Sequence, residues 1–545
     1  MNLISELTAF GRFARGLPAF LGETMDLDRA RSIVSERLAN RGTNFLSGLK
    51  RSVFGRPGSP YARLMELAGC AFADAEVLVR DRGLEGALHE LKDGGVYVTF
   101  EEFKGHRPIV RGGREIETLP GDFDNPELRQ FFTTTTGGST GAPRRVLMDL
   151  EHFRSRLPMQ VMRWQAHGLG GAPFAQWAEI PPGHGLEAAL LHVVVERFPE
   201  RWFTPIWAGT SGPGLRFRLA TQAAVMIARR SGADVPRPEF VPLDSAHVVA
   251  EWAVDAIGRA GRCVLRTHMS KALRVAVAAQ ERGWDLTGLL IESGGEPATP
   301  AKVERILASG ASLVSNYFLM EAGPIGFGCP DSEDANDQHF QMDHLAMITS
   351  PRSVPASGES VNAFLYTTLL PTAPKLLINV ETDDYGVVEQ RSCGCLLGEL
   401  GFDTHIRDIR SFSKLTGEGV TLIGSDMVDI LERDLPARFG GSPLDYQLVE
   451  EEDDSGFTRL TLLVHPRLDV QDDAALVDAV HEGLSRRGGA AAFTRTLWTA
   501  ARTLRVRREE PRLNARGKLW PLHSDRRTTS ALGGGESGSP DVSST

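Results

Sequence analysis

The stretch Thr133-Thr134-Thr135-Thr136-Gly137-Gly138-Ser139-Thr140-Gly141-Ala142-Pro143-Arg144-Arg145 carries the strongest local signal in the chain. A β-branched run feeds a loop of glycines and hydroxyls, closed by a proline and two cations. Glycines let a backbone wrap tightly and turn its N–H groups inward, hydroxyls add donors, and arginines add charge. That combination suits a polyphosphate. It is not a Walker loop, because no Gly-Lys-Ser/Thr follows. A Gly/Ser/Thr stretch on its own also fits a plain surface loop.

Outward from this loop, strand-like and helix-like runs alternate between Val96 and about Arg410. Gly95–Phe100, Phe131–Thr136, Leu289–Glu292, Ser312–Tyr317 and Lys375–Val380 read as strands. Ala220–Arg230, Ser245–Ile257 and Thr299–Ala308 read as helices. Such alternation predicts an α/β body with parallel strands over residues 96–410. Residues 1–95, rich in Ala, Leu, Arg and Glu, read as a helical extension packed on it. Beyond it, Arg459–Val464 reads as a strand and Ala474–Arg486 as an amphipathic helix, which predicts a smaller α+β domain over 411–523. The Ser/Gly/Thr/Pro-rich residues 524–545 read as a disordered tail. No internal repeat is visible.

The 545 residues are 41% hydrophobic and 24% charged, as in a soluble globular chain with a sizeable core. Seventy acidic against 60 basic residues give a net charge of −10, which argues against broad binding to nucleic acid or to an anionic membrane. Apolar runs such as Ala188–Val195 are too short to span a bilayer, and Met1–Arg12 lacks the pattern of a secretory signal. Five cysteines cannot form a disulfide framework, so a reducing, cytoplasmic setting is the default expectation.

Five segments, in order, resemble the motifs of the adenylate-forming (acyl-AMP ligase) superfamily. Thr136-Gly137-Gly138-Ser139-Thr140-Gly141 resembles its phosphate loop, with Arg144 at the usual lysine position. Gly295-Glu296-Pro297, after an apolar strand, resembles its adenine-side turn. Asn316-Tyr317-Phe318-Leu319-Met320-Glu321 resembles the Tyr-Gly-x-Thr/Ser-Glu motif, and Thr382-Asp383-Asp384 the segment with the ribose-binding aspartate. Ala515-Arg516-Gly517-Lys518 resembles the Gly-Lys segment that carries the catalytic lysine of a mobile C-terminal domain. The resemblance covers roughly Val96 to His523.

It implies ATP-dependent activation of a carboxylic acid as an acyl-adenylate. The acid attacks the α-phosphorus of ATP and pyrophosphate leaves, with charge offset by metal and cations. Glu321 would help hold Mg²⁺, Asp384 would accept from the ribose hydroxyls, and Lys518 would bridge carboxylate and phosphate. Arg410, or Arg407 in its place, would contact the ribose. A thiol, coenzyme A in the relatives most resembled, would then take the acyl group; an amine, a hydroxyl or a carrier-protein thiol is the alternative acceptor. Phe318 and Met320 depart from the motif, which keeps open a nucleotide-binding relative without turnover. Lys518 as an exposed tail lysine is the plain alternative to its catalytic role. A homodimer stays open.

A second constellation is Cys329, His339, Cys393 and Cys395. Three thiols and one imidazole make a complete tetrahedral structural zinc set, with buried free cysteines as the alternative. A Cys-x-Cys segment after the ribose motif resembles a habit of the phenylacetate–CoA ligase-like branch. Cys70 and Cys263 read as core thiols. His184, flanked by Gly183 and Gly185, sits where the resemblance places an acyl-pocket loop, and equally fits a solvated loop. Trp164, Trp177, Trp202 and Trp207 are candidates for an aromatic pocket or for plain core.

Overall fold

In the computed structural model, twelve strands form one mixed sheet around which the chain is organised. The structure describes residues 3–129, 131–135, 145–181, 183–192, 199–205, 213–353, 360–411, 414–417, 420–423, 427, 430–452, 458–485, 503–512 and 522–524. In chain order the strands of this sheet are β1 (Phe174–Trp177), β2 (Arg201–Thr204), β3 (Pro238–Phe240), β4 (Cys263–His268), β5 (Leu289–Gly294) and β6 (Ser312–Leu319). They continue as β7 (Gly323–Phe327), β8 (Gln338–Phe340), β9 (Leu345–Ser353), β10 (Ser360–Thr368), β11 (Val380–Gln390) and β12 (Thr404–Ser411). Their spatial order is β9-β10-β11-β12-β8-β7-β6-β5-β4-β1-β2-β3.

The sheet has two halves that meet at β6. From β6 to β3 every pairing is parallel. From β6 to β9 every pairing is antiparallel. Half of the sheet therefore departs from the parallel body expected. The parallel half is crossed over by the helices His247–Ala260, Met269–Gln280 and Pro300–Leu307. Their apolar faces bury Trp252, Leu273 and Ile306 against Leu265 and Ile291. The helix Leu150–Ala166 covers the opposite face, and Trp164 packs there with Phe174 and Val264. Helices Leu3–Leu21 and Leu27–Ala39 insert Phe13, Leu17 and Val34 into the core shared with Phe153 and Leu157.

Two stretches expected as strands are not strands. In Gly95–Phe100, Thr99 caps the short helix Phe100–Phe103: its hydroxyl accepts from the Glu102 N–H, while Glu102 accepts from the Thr99 N–H at 2.8 Å. That reciprocal cap outweighs the local β-propensity, leaving only a bridge from Val98 to Val380. In Lys375–Val380, Asn379 takes φ +49° and donates its amide to the carbonyls of Leu88 and Val96. The segment thus ties loops together instead of extending a ladder.

Past Ser411 the chain forms a two-stranded ribbon, Lys414–Gly417 with Val420–Ile423, and then a separate four-stranded sheet. That sheet pairs Tyr446–Glu452 with Thr458–Val464 and adds Leu504–Arg507 and Leu522–Ser524 in parallel. The helix Asp473–Ser485 closes its own core of Leu431, Leu448, Leu462 and Val480. Among the described residues no helix is long and apolar enough to cross a membrane.

Candidate active site and metal centre

Ligands of open α/β sheets bind outside the carboxyl ends of the parallel strands. In this chain that edge is built from glycine and short polar groups. Gly294 stands in register between His268 of β4 and Asn316 of β6. A Cβ on Gly294 would lie 2.6 Å from the Asn316 carbonyl, and Gly295 turns with φ +76° against the His268 ring. Only glycine lets β5 end this close to its neighbour. Glu296 is buried, with Ser270 donating to it and the Lys302 ammonium 3.8 Å away. Pro297 follows, half-buried.

Consecutive residues of β6 face opposite sides of the sheet, as a strand requires. Asn316 accepts from Arg163 at 3.3 Å on one side. On the other, the Tyr317 hydroxyl donates to Asp384 at 2.6 Å, and Ser411 donates to the second oxygen of the same carboxylate. Burial, with Asp384 next to it, keeps the Tyr317 phenol protonated far above its ordinary range. Two segments separated by more than sixty positions thus share one hydrogen bond. Arg410 does not join them. It pairs opposite Tyr385, one position off the Asp384–Ser411 register, so its exposed side chain leaves the other face. Arg407 is held by Glu389 at 2.5 Å.

Glu321 lies in the turn between β6 and β7, 4% exposed, with Lys104 donating to it at 2.8 Å. Burial would raise its carboxyl, but Lys104, with Lys375 behind it, holds the pKa down at about 2. The carboxylate is therefore ionised, which is what a hard cation such as Mg²⁺ needs. It lines a cavity of about 80 Å³ with Phe103, Gly121, Asp124 and Lys375. Lys375 is anchored by Asp124 at 2.5 Å and by the Pro120 carbonyl at 2.9 Å.

His184 caps the helix Gly185–Leu191 beyond the end of β1. The turn is wound so tightly that a Cβ on Gly183 would sit 2.6 Å from Glu179. The His184 ring lies tilted against His268, with ring centres 4.9 Å apart, and Glu179 accepts from Lys271 beside them. Burial lowers both imidazoles, which keeps them neutral. The Lys271 ammonium overcomes burial at Glu179 and holds it at about 2. The indoles are core: Trp164 is 4% exposed, and Trp177 and Trp202 are fully buried, each donating to a backbone carbonyl.

The metal-ligating candidates converge. One ligand atom each from Cys329, His339, Cys393 and Cys395 lies within 4.8 Å of the others. Cys329 follows β7, His339 sits on β8, and both other thiols lie in the loop after β11. The Cys329 and Cys393 sulfurs are 3.6 Å apart, and Cys395 is 3.2 Å from His339 Nε2. Tetrahedral zinc with bonds near 2.3 Å to sulfur and 2.0 Å to nitrogen requires edges of about 3.5–3.8 Å, so this cage is already close to size. His339 Nδ1 donates to the Phe402 carbonyl at 2.6 Å, leaving Nε2 aimed at the thiols. Such a bond fixes the tautomer that ligates. Any side chain on Gly398 would overlap the Cys393 carbonyl, so the loop closes only with glycine there. Cys263 is buried and Cys70 half-buried, both away from this cage.

Thr136, Gly137, Gly138, Ser139, Thr140, Gly141, Trp207 and Lys518 lie outside the described residues. The strands flanking the phosphate-loop candidate, Phe131–Thr135 and Arg145–Asp149, form an antiparallel hairpin. Lys104, Lys375, Glu179, His268 and Lys271 were not singled out from the sequence. Glu179 and His268 close apolar runs, as in Cys263-Val264-Leu265-Arg266-Thr267-His268, whereas Lys104, Lys271 and Lys375 carry no such signal.

No family model matches the chain, and no curated protein does. Solved structures do show a likeness. A 2-hydroxyisobutyryl-CoA ligase in a postadenylation complex aligns over 92% of this chain and 90% of its own, at 16% identity and a TM-score of 0.43. The amide bond synthetase McbA from Marinactinospora thermotolerans aligns over 94% and 98%, at 15% identity and a TM-score of 0.33. An anthranilate CoA ligase in complex with anthranoyl-AMP aligns over 94% and 95%, at 13% identity and a TM-score of 0.32. At such identities and scores the likeness does not speak to chemistry, which rests on the residues themselves.

Proposed function

We propose that this protein is an ATP-dependent ligase that activates a carboxylic acid as its acyl-adenylate and passes the acyl group to a thiol, that of coenzyme A. The observation that carries this reading is the meeting of three remote segments around β6: Gly294–Gly295, Asn316–Glu321 and Asp384. In it, the ribose hydroxyls donate to Asp384, whose carboxylate Tyr317 and Ser411 already orient. The backbone of Gly295 to Pro297 lines the adenine, because the Glu296 carboxylate is occupied by Ser270. Thr136 to Gly141 cradle the outer phosphates.

Glu321 and Lys104 place an anion and a cation 2.8 Å apart beside the cavity. Mg²⁺, when bound, supplies charge neutralisation for the departing pyrophosphate. Glu321 would hold that metal through its carboxylate, with the Lys104 ammonium beside it as a cation for phosphate. Lys518 then bridges the acid carboxylate and the α-phosphate. In this reading residues 411–523 form a small domain that moves between half-reactions, on a body spanning 96–410. The Cys329, His339, Cys393 and Cys395 donor set fits structural Zn²⁺, which would pin β7 and β8 to the loop after β11.

Acid-dependent pyrophosphate release over a panel of carboxylic acids tests the reading, with the product weighed by mass spectrometry with and without coenzyme A. A new mass equal to the acyl thioester supports it. Release with no dependence on any acid removes the adenylation step, and release without a thioester product removes coenzyme A as acceptor.

A further inference from the structure

Between the parallel half of the sheet and the helix Leu150–Ala166 lies a layer of buried charge. Arg156 donates to Glu187, and Arg163 is 3.3 Å from Glu292, each of these four side chains being under a tenth exposed. At the upper edge Lys271 pairs with Glu179. Three cations thus match three carboxylates. Arg266 is a fourth cation. Its strand β4 sets it between Gln176 of β1 and Glu292 of β5, on the face shared with His268. Among the described residues it forms no ion pair, and its Nη1 atom is buried with no hydrogen-bond partner. Its side chain is only partly covered. Burial drags its pKa down to about 10, against the pull of the Glu292 carboxylate and with the push of Arg163 and Arg156.

An unpaired buried guanidinium is costly, and a bidentate anion is the partner its fork fits. The excess cation sits under the cleft edge formed by His268, Gly294 and Asn316. Two residues of strand separate Arg266 from His268, about 6–7 Å of depth. We propose that the acid accepted by this site is a dicarboxylic acid, whose second carboxylate is held by Arg266. This rests on the adenylation reading for the fate of the first carboxylate. The acids that probe this are those with a second carboxylate at the far end of the chain or ring, such as a six-carbon aliphatic diacid or a para-substituted benzene diacid. A pocket floored by Arg266 excludes the matching monoacid because it would leave the guanidinium unpaired.

The test compares adipate with hexanoate, and terephthalate with benzoate, on wild type, Arg266→Gln and Arg266→Lys. Pyrophosphate release gives kcat/KM for each acid, and calorimetry without ATP gives direct binding. Wild type is expected to prefer the diacid in at least one pair, and Arg266→Gln to lose about a hundredfold on that diacid while its monoacid rate rises. Arg266→Lys keeps the charge and recovers part of the loss, which separates recognition from a folding defect. A wild type that prefers the monoacid in both pairs, or an Arg266→Gln protein with an unchanged preference, overturns the proposal. If no acid releases pyrophosphate, the adenylation reading fails. The subsite then stands if a diacid binds wild type but not Arg266→Gln, and falls if it binds neither.

Discussion

The Cys/His cage beside β8 and the charged layer beneath β4–β6 handle buried polarity in opposite ways. The cage gathers four neutral-or-anionic donors at a spacing that one cation satisfies completely. The layer sets cations against carboxylates, with Arg266 in excess, and leaves atoms of Arg163, Arg266, Glu187 and Glu292 buried without hydrogen bonds. A closed site of the first kind stabilises, because its ligands have nothing else to do. An incomplete site of the second kind is a cost to the empty protein and a gain on binding. The comparison teaches that the cage would tie the antiparallel half together once a metal fills it, whereas the parallel half leaves buried charge that only a ligand would complete.

The cage breaks first. Cys395→Ser is expected to release the metal, taking zinc from one per chain to none by elemental analysis, and to lower Tm on the order of 10 °C. An unchanged Tm in a zinc-free protein would make the centre dispensable to the fold. The layer comes next. Arg163→Met leaves Glu292 buried without its partner and should cost about 3–5 kcal/mol in denaturant unfolding. Adding Glu292→Leu should restore most of it, since two apolar groups replace both charges. A double variant no better than the single would show that Arg163 matters through its contact with the Phe327 ring, 3.7 Å away, instead of through charge.

These contrasts explain what the sequence could and could not reveal. The cage was legible because its ligands are rare residue types clustered at two short loops. The β5 and β6 strands were legible as apolar runs, and Gly294–Gly295 as punctuation at their end. The layer was not legible, because Arg163, Arg266 and Glu292 lie far apart in sequence, and a charge within an apolar run does not disclose its partner. Lys375–Val380 misled for a related reason. Its strand-like composition is overridden by the Asn379 amide, which is fixed by carbonyls of two distant segments. Arg410 was hard to place because of parity: one residue of register sets it on the opposite face from Ser411, which meets Asp384.

A smaller effect sharpens the link between the two halves. Tyr317→Phe removes one donor from Asp384 while Ser411 keeps the other, and should cost about 1–3 kcal/mol of stability by chemical denaturation. The smallest effect is in pH. The Glu321 and Glu179 carboxyls are held at about 2 against an ordinary 4.5. Their folded pKa values are depressed, so the stability they add is complete above about pH 4.5 and is lost as pH falls toward about 2. Lys104→Met removes the cation that depresses Glu321, and its acid unfolding should begin at higher pH than wild type. Superimposable acid limbs would contradict that pairing.

Acid-dependent exchange of labelled pyrophosphate into ATP reports the first half-reaction alone and needs no knowledge of the acceptor. Exchange in wild type that falls by about a hundredfold or more in Lys518→Ala, with nucleotide affinity weakened in Asp384→Ala, is the predicted result. Exchange equal in wild type and Lys518→Ala, or absent with every acid offered, would contradict the account at its centre.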